Sequence, residues 1–304
     1  MALTKHAIAD LIARRGGLVI DGAMSTPLEA AGLNLNDTLW SAKALLECPD
    51  LVRKVHYDYY AAGANAVEAC SYQATEAAFA RKGIEKAEAS RLIRLSGELV
   101  REAKNDALLE HPEWDPADLL TAGSIGPYGA YLADGSEYTG AYNLTREEYY
   151  AFHQLRLDEL LNSGMDILAI ETQPRFDEIE ALLAMIADRD IACWVTVTLK
   201  DGDMPDGTKL EVLAKCLDAD PHVEAFGFNC VKREWVEPGL KRLSAYTDKP
   251  LVVYPNSGET YDPTTKTWHA QGVHEPDWNH YVPLWEHTGA RCIGGCCRTL
   301  PKDI

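Results

Sequence analysis

The chain has no long apolar run, no surplus of basic residues and no paired histidines, and each absence closes off a class of function. No stretch approaches the ~18 apolar residues of a membrane-spanning helix, so no membrane partner is expected. Against 47 Asp and Glu stand 29 Lys and Arg, a formal net charge of −18. That balance argues against nucleic acid or an anionic lipid surface as a partner. The nine histidines are scattered, without His-x-His or His-Glu-x-x-His spacing, which argues against a metallohydrolase built on imidazoles. Met1 to His6 lack a charged head, an apolar centre and a small-residue cleavage site, so a cytoplasmic chain is expected. No low-complexity linker or charge block divides the sequence, and one domain over residues 1–304 is expected.

What the chain does have is 46% apolar residues, enough for a sizeable core, and a repeated alternation of short β-rich runs with helical patterns. Strands are expected at 17–21, 64–70, 119–124, 165–170, 191–199, 223–228, 250–254 and 290–293. Pro49 opens a helix whose Leu51, Val52, Val55 and Tyr59 recur at helical spacing. A long helical region runs from about Glu76 to Lys104, and Thr145 with Glu148 forms a capping-box signature. Gly126 through Gly140 is expected to be a Gly/Tyr-rich loop. Eight strand–helix units predict an α/β fold, a single (β/α)8 barrel. Pro301–Ile304 resembles only the first turn of an eighth helix, so that final helix is expected to be cut short.

Such barrels place their chemistry at the C-terminal ends of the strands. Those positions hold Asp21, Ser71, Ser124, Glu171, Asn229 with Cys230, Asn256, and Cys296 with Cys297. Of the eight cysteines, Cys48, Cys70, Cys193, Cys216 and Cys292 read as small buried hydrophobes. Disulfides are not expected in an acidic cytoplasmic chain. Adjacent residues on a strand face opposite sides, but a strand broken at Gly294-Gly295 can turn both Cys296 and Cys297 toward Cys230. Three thiolates on one cation leave a fourth zinc position open, which suits activation of an incoming thiol. A redox pair and a four-ligand structural zinc site, completed by a histidine from a loop, remain alternatives. Asp21 could cap the next turn or accept an ammonium. Glu171, a carboxylate ending an apolar strand, needs a charged or hydrogen-bonding partner. Tyr72, Tyr128, Tyr131 and Trp40 are candidates for an aromatic wall over a cation, and Arg298 for a substrate carboxylate or an acidic neighbour.

The chain resembles the zinc-dependent homocysteine S-methyltransferases, and within them the branch that uses S-methylmethionine. The likeness is carried by Asp21-Gly22-Ala23-Met24-Ser25-Thr26, Leu39-Trp40-Ser41, Ser71-Tyr72-Gln73-Ala74-Thr75, the segments Gly123–Leu132 and Asp134–Tyr138, Glu171-Thr172, Asn229-Cys230, Val253–Glu259 and Gly294–Thr299. The resemblance implies zinc held by Cys230, Cys296 and Cys297, with the sulfur of homocysteine as fourth ligand. It implies that Asp21 and Glu171 hold the substrate amino group, that Ser71 lies near its carboxylate, and that Asn256 offers an oxygen near the metal. The substrates would be homocysteine and S-methylmethionine, with S-adenosylmethionine as a second donor. Two positions depart from the family pattern: Glu68, where an apolar residue is usual, and Gln173.

Overall fold

A computed structural model of the protein describes residues 3, 6–257, 260–262, 267–269 and 278–304. Strands β1 (Leu18–Val19), β2 (Ala66–Glu68), β3 (Leu120–Ile125), β4 (Ile167–Gln173), β5 (Cys193–Val197), β6 (Val223–Asn229) and β7 (Leu251–Tyr254) are separated by helical crossovers. A short antiparallel hairpin follows, β8 (Thr260–Asp262) with β9 (Thr267–His269), and then β10 (Ala290–Ile293). Apart from the hairpin, eight strands form one parallel sheet in the order β1-β10-β7-β6-β5-β4-β3-β2. A parallel bridge from Ile20 to Ala66 links the two edges, supported by Asn65 N–H to Val19 O at 2.7 Å and Asp21 N–H to Ala66 O at 3.1 Å. The sheet thereby closes into the expected (β/α)8 barrel.

Strand periodicity sorts the side chains into two apolar layers. Leu120, Ala122, Ile167, Ala169, Trp194, Ala225, Val252 and Tyr254 fill the barrel interior. Val67, Leu168, Ile170, Val195, Phe226, Phe228 and Val253 pack outward against the helices. Continuing the inward parity along each strand aims Glu68, Ser124, Glu171 and Asn229 into the barrel mouth. A one-residue slip would reverse every one of these.

Pro49 starts the helix Pro49–Ala62 at its first position, and Thr145 and Glu148 form both bonds of the capping box on Arg146–Asn162. Two local expectations need correction. The helical region from Glu76 is two helices, Glu76–Ala80 and Lys86–Glu110, separated by Gly83 at φ +74°. The segment 126–140 is not a loop: Tyr128–Leu132 and Ser136–Thr139 are short helices, with Gly129, Ala130 and Ser136 buried. At the other end, Pro301–Asp303 forms a single 3-10 turn. Gly258 and Glu259 of the Val253–Glu259 motif lie outside the described residues.

Candidate metal centre and substrate cavity

Cys230 follows β6, and plain strand parity would send its thiol outward. Its backbone is instead left-handed, φ +52°, a conformation that costs a non-glycine residue about 1–3 kcal/mol. Its N–H is held by Tyr254 O at 3.2 Å. Beyond β10 the chain is pinned residue by residue: Gly294 N–H to Val253 O at 3.0 Å, Gly295 N–H to Asp21 O at 3.0 Å and Cys296 N–H to Pro255 O at 2.9 Å. These bonds bring Cys296 Sγ to 2.9 Å and Cys297 Sγ to 3.6 Å from Cys230 Sγ. All three sulfurs lie within 4.8 Å of one another, a group that could hold a metal ion.

The set fits a thiolate-bound metal. With metal–sulfur bonds of about 2.3 Å, tetrahedral ligands stand roughly 3.8 Å apart, so Cys297 Sγ already stands at ligand spacing from Cys230 Sγ, while Cys296 Sγ has to swing outward by about 0.9 Å. No disulfide joins any of the eight cysteines. Thiol hydrogen bonds from Cys296 and Cys297 lower the Cys230 pKa well below its ordinary value, helped by the Tyr138 hydroxyl at 3.8 Å. The same hydrogen bond to Cys230 raises Cys296 and Cys297. The other five cysteines are structural, with Cys70, Cys193 and Cys292 buried beside the strands.

A cavity opens beside the sulfurs, with Asp21, Glu68, Ser124, Glu171, Glu137 and Tyr138 in its walls. Asp21 is 2% exposed and ties three strand ends together: its N–H and O bond Ala66 and Gly295, and its Oδ2 accepts the Glu68 N–H at 3.1 Å. It caps no helix, since the helix Ser25–Ala30 has Met24 at its N-cap and no side-chain cap bond. Glu171 accepts hydrogen bonds from the Ser124 hydroxyl and, at 3.2 Å, from Asn229 Nδ2. Asn229 Oδ1 in turn accepts the Thr172 N–H at 2.7 Å, steadying a second left-handed residue, Thr172 at φ +56°. Burial raises the pKa of Asp21 and Glu68 well above the carboxylate range, and raises Glu171 to about 8 and Glu137 to about 7.

Ser71 and Asn256 are not among the walls of this cavity. The Ser71 hydroxyl is spent on Ser124 O at 2.7 Å, and Asn256 is anchored through its N–H to Val231 O at 3.2 Å. The expected aromatic wall divides. Tyr72 and Trp40 line the cavity, whereas Tyr128 and Tyr131 pack on Phe152 at 4.9 and 5.5 Å, with Arg81 over the Tyr131 ring at 3.7 Å. Arg298 stands 3.9 Å from Glu29, an acidic neighbour. Gln173 is buried and donates to Ile125 O and Glu171 O, both at 3.2 Å. Glu137, Tyr138 and Tyr254 were not singled out as site residues from sequence. The segment Asp134–Tyr138 carried only resemblance, and no periodicity in it pointed inward.

Fold and site together define a (β/α)8-barrel protein with a candidate three-thiol metal centre at its C-terminal mouth. The homocysteine S-methyltransferase family matches residues 18–304, and the chain belongs to that family. It is 49% identical over 296 residues to a homocysteine S-methyltransferase of Escherichia coli, covering 97% of this chain and 95% of that protein. Homocysteine S-methyltransferase YbgG of Bacillus subtilis is 44% identical, covering 94% of this chain and 92% of that one. The metallated form of the Escherichia coli homocysteine methyltransferase MmuM superposes with a TM-score of 0.88 at 45% identity, covering 98% of this chain and 97% of that one. The chain is thus a methyltransferase enzyme acting on small-molecule substrates. Among the described residues no helix is long and apolar enough to cross a membrane.

Proposed function

We propose that this chain, as one barrel domain over residues 1–304, transfers a methyl group from S-methylmethionine to the sulfur of homocysteine, giving two molecules of methionine. The observation that carries this is the convergence of Cys230, Cys296 and Cys297 within 4.8 Å, beside a cavity walled by Asp21 and Glu171. Zinc held by the three cysteines would lower the pKa of an added thiol and keep it as a thiolate near neutral pH.

The chain's own residues do the rest by binding and positioning. Asp21 and Glu171 take the ammonium of homocysteine, which aims its sulfur at the thiol cluster. Ser71 acts from behind the wall by fixing the Ser124 carbonyl, and Asn256, whose Oδ1 is buried without a partner, offers the oxygen near the metal. Tyr72 and Trp40 face the cavity and suit the cationic donor, since aromatic faces attract cations. Thiolate and sulfonium neutralise one another as the methyl group moves, so a site with little water favours the step. Asp21 at 2% and Cys230 at 8% exposure supply such surroundings. No proton moves at the reacting carbon, consistent with the absence of histidine from the cavity walls among the described residues.

S-adenosylmethionine is a second donor in this proposal. The test is methionine formation from homocysteine with S-methylmethionine, S-adenosylmethionine and betaine in competition. Preferential turnover of S-methylmethionine supports the assignment. Betaine as the preferred donor would replace it, and zinc binding without turnover on any donor would leave a thiol-binding protein.

A further inference from the structure

The cavity holds more carboxyl groups than a pair of ammonium acceptors requires. Asp21, Glu68, Glu137 and Glu171 all stand in its walls, and among the described residues no Lys, Arg or His does. Arg156, the nearby buried cation, donates to Tyr72 O and Gly126 O, both at 2.6 Å, rather than to a carboxylate. Three carboxylate oxygens are buried with no partner, Asp21 Oδ1, Glu68 Oε1 and Glu137 Oε2, and a buried acceptor left unmade is costly. The first two belong to residues locked together by the Glu68 N–H to Asp21 Oδ2 bond of 3.1 Å. Strand parity from Ala66 makes Glu68 face inward.

We propose that Glu68 is a third acceptor for the ammonium of the thiol substrate, so that Asp21, Glu68 and Glu171 select a primary amine. An –NH3+ group has three N–H donors and no acceptor, matching one oxygen from each carboxylate. The Tyr254 hydroxyl accepts from Trp194 Nε1 at 3.0 Å and meets Thr196 Oγ1 at 2.9 Å, and the single hydrogen it can offer the Glu68 carboxyl leaves Glu68 Oε1 without a partner. This makes Glu68 a specificity-determining residue, and the inference rests on the homocysteine reading above.

The test is calorimetric binding to the zinc-loaded protein of homocysteine, N-methylhomocysteine and 4-mercaptobutanoate, which lacks the amino group. Wild-type protein should prefer homocysteine to both analogues. Glu68→Gln should weaken homocysteine about tenfold, the loss of one charge-assisted bond, and leave 4-mercaptobutanoate unchanged or tighter. Glu68→Asp should recover part of the loss. Equal weakening of both thiols by Glu68→Gln, or no weakening of homocysteine, overturns the proposal. So does equal binding of homocysteine and N-methylhomocysteine by wild type, a comparison that needs no variant. Wild-type protein that binds zinc but none of the thiols defeats the homocysteine reading itself, and this inference with it. Normal thiol binding with an unaltered preference in Glu68→Gln defeats only the inference.

Discussion

Replacing Gly295 by alanine tests whether the thiol centre depends on how tightly its chain segment is pinned. A Cβ at Gly295 would lie 2.2 Å from Thr299 Cγ2, 2.4 Å from Thr299 Oγ1 and 2.4 Å from Thr299 Cβ. Rotating the Thr299 side chain relieves the first two contacts but leaves the third, because Cβ is fixed to the backbone. That backbone is itself held: Thr299 O accepts from Ala23 N–H at 3.0 Å and from the Tyr59 hydroxyl at 3.0 Å, and Thr299 N–H donates to Cys296 O at 3.1 Å. Ordinary contact begins near 3.4 Å, so the segment carrying Cys296 and Cys297 has to move by about 1 Å, whereas metal ligands tolerate about 0.2 Å. Overpacking of this kind costs about 1–3 kcal/mol of stability, and misplacing metal ligands weakens the metal about 10- to 100-fold. Competition against a chromogenic chelator reads the affinity, and a circular-dichroism melt reads the fold. A variant that holds zinc as wild type does and melts as wild type does would refute this reasoning.

Three further outcomes are expected. Gly227→Ala would bring a Cβ to 2.0 Å from Val252 O on the neighbouring strand, and should lower the melting temperature and the soluble yield by disrupting β6 and β7 beneath Cys230. Cys297→Ser should cut zinc retention under dialysis against chelator while leaving the far-ultraviolet circular dichroism intact; full zinc retention would remove Cys297 from the ligand set. The metal-free protein should become less stable as pH rises from about 5 to about 8, because a buried carboxyl raised in the folded state favours that state only while protonated. Burial is the leading cause for Glu171, raised from 4.5 to about 8, and for Glu137, raised from 4.5 to about 7. Calorimetric melts across that range check the sign, and a flat or rising profile would contradict it.

The barrel was legible because all eight barrel strands are short apolar runs spaced widely enough for crossovers. Boundaries moved by one to three residues where polar residues end a strand facing the mouth, as at Glu171–Gln173. Cys230, Cys296 and Cys297 were legible as a group because each follows a strand, although the left-handed turn that swings Cys230 inward leaves no mark in composition. The helices Tyr128–Leu132 and Ser136–Thr139 were hidden because one turn is too short to show a period. For the same reason Glu137 escaped notice, and Tyr128 and Tyr131 could not be separated from Tyr72. Glu68 stood out only as a charge in an apolar strand. Its inward facing follows from the register that pairs Glu68 with Ala122, which one strand alone does not fix.

The central claim is that Cys230, Cys296 and Cys297 hold zinc and leave one position for the substrate sulfur. X-ray absorption at the zinc edge, on reduced protein with and without homocysteine, measures it directly. Three sulfur ligands rising to four when homocysteine is added is the predicted result. An unchanged sulfur count on saturation, or no zinc in the fully reduced protein, would contradict it.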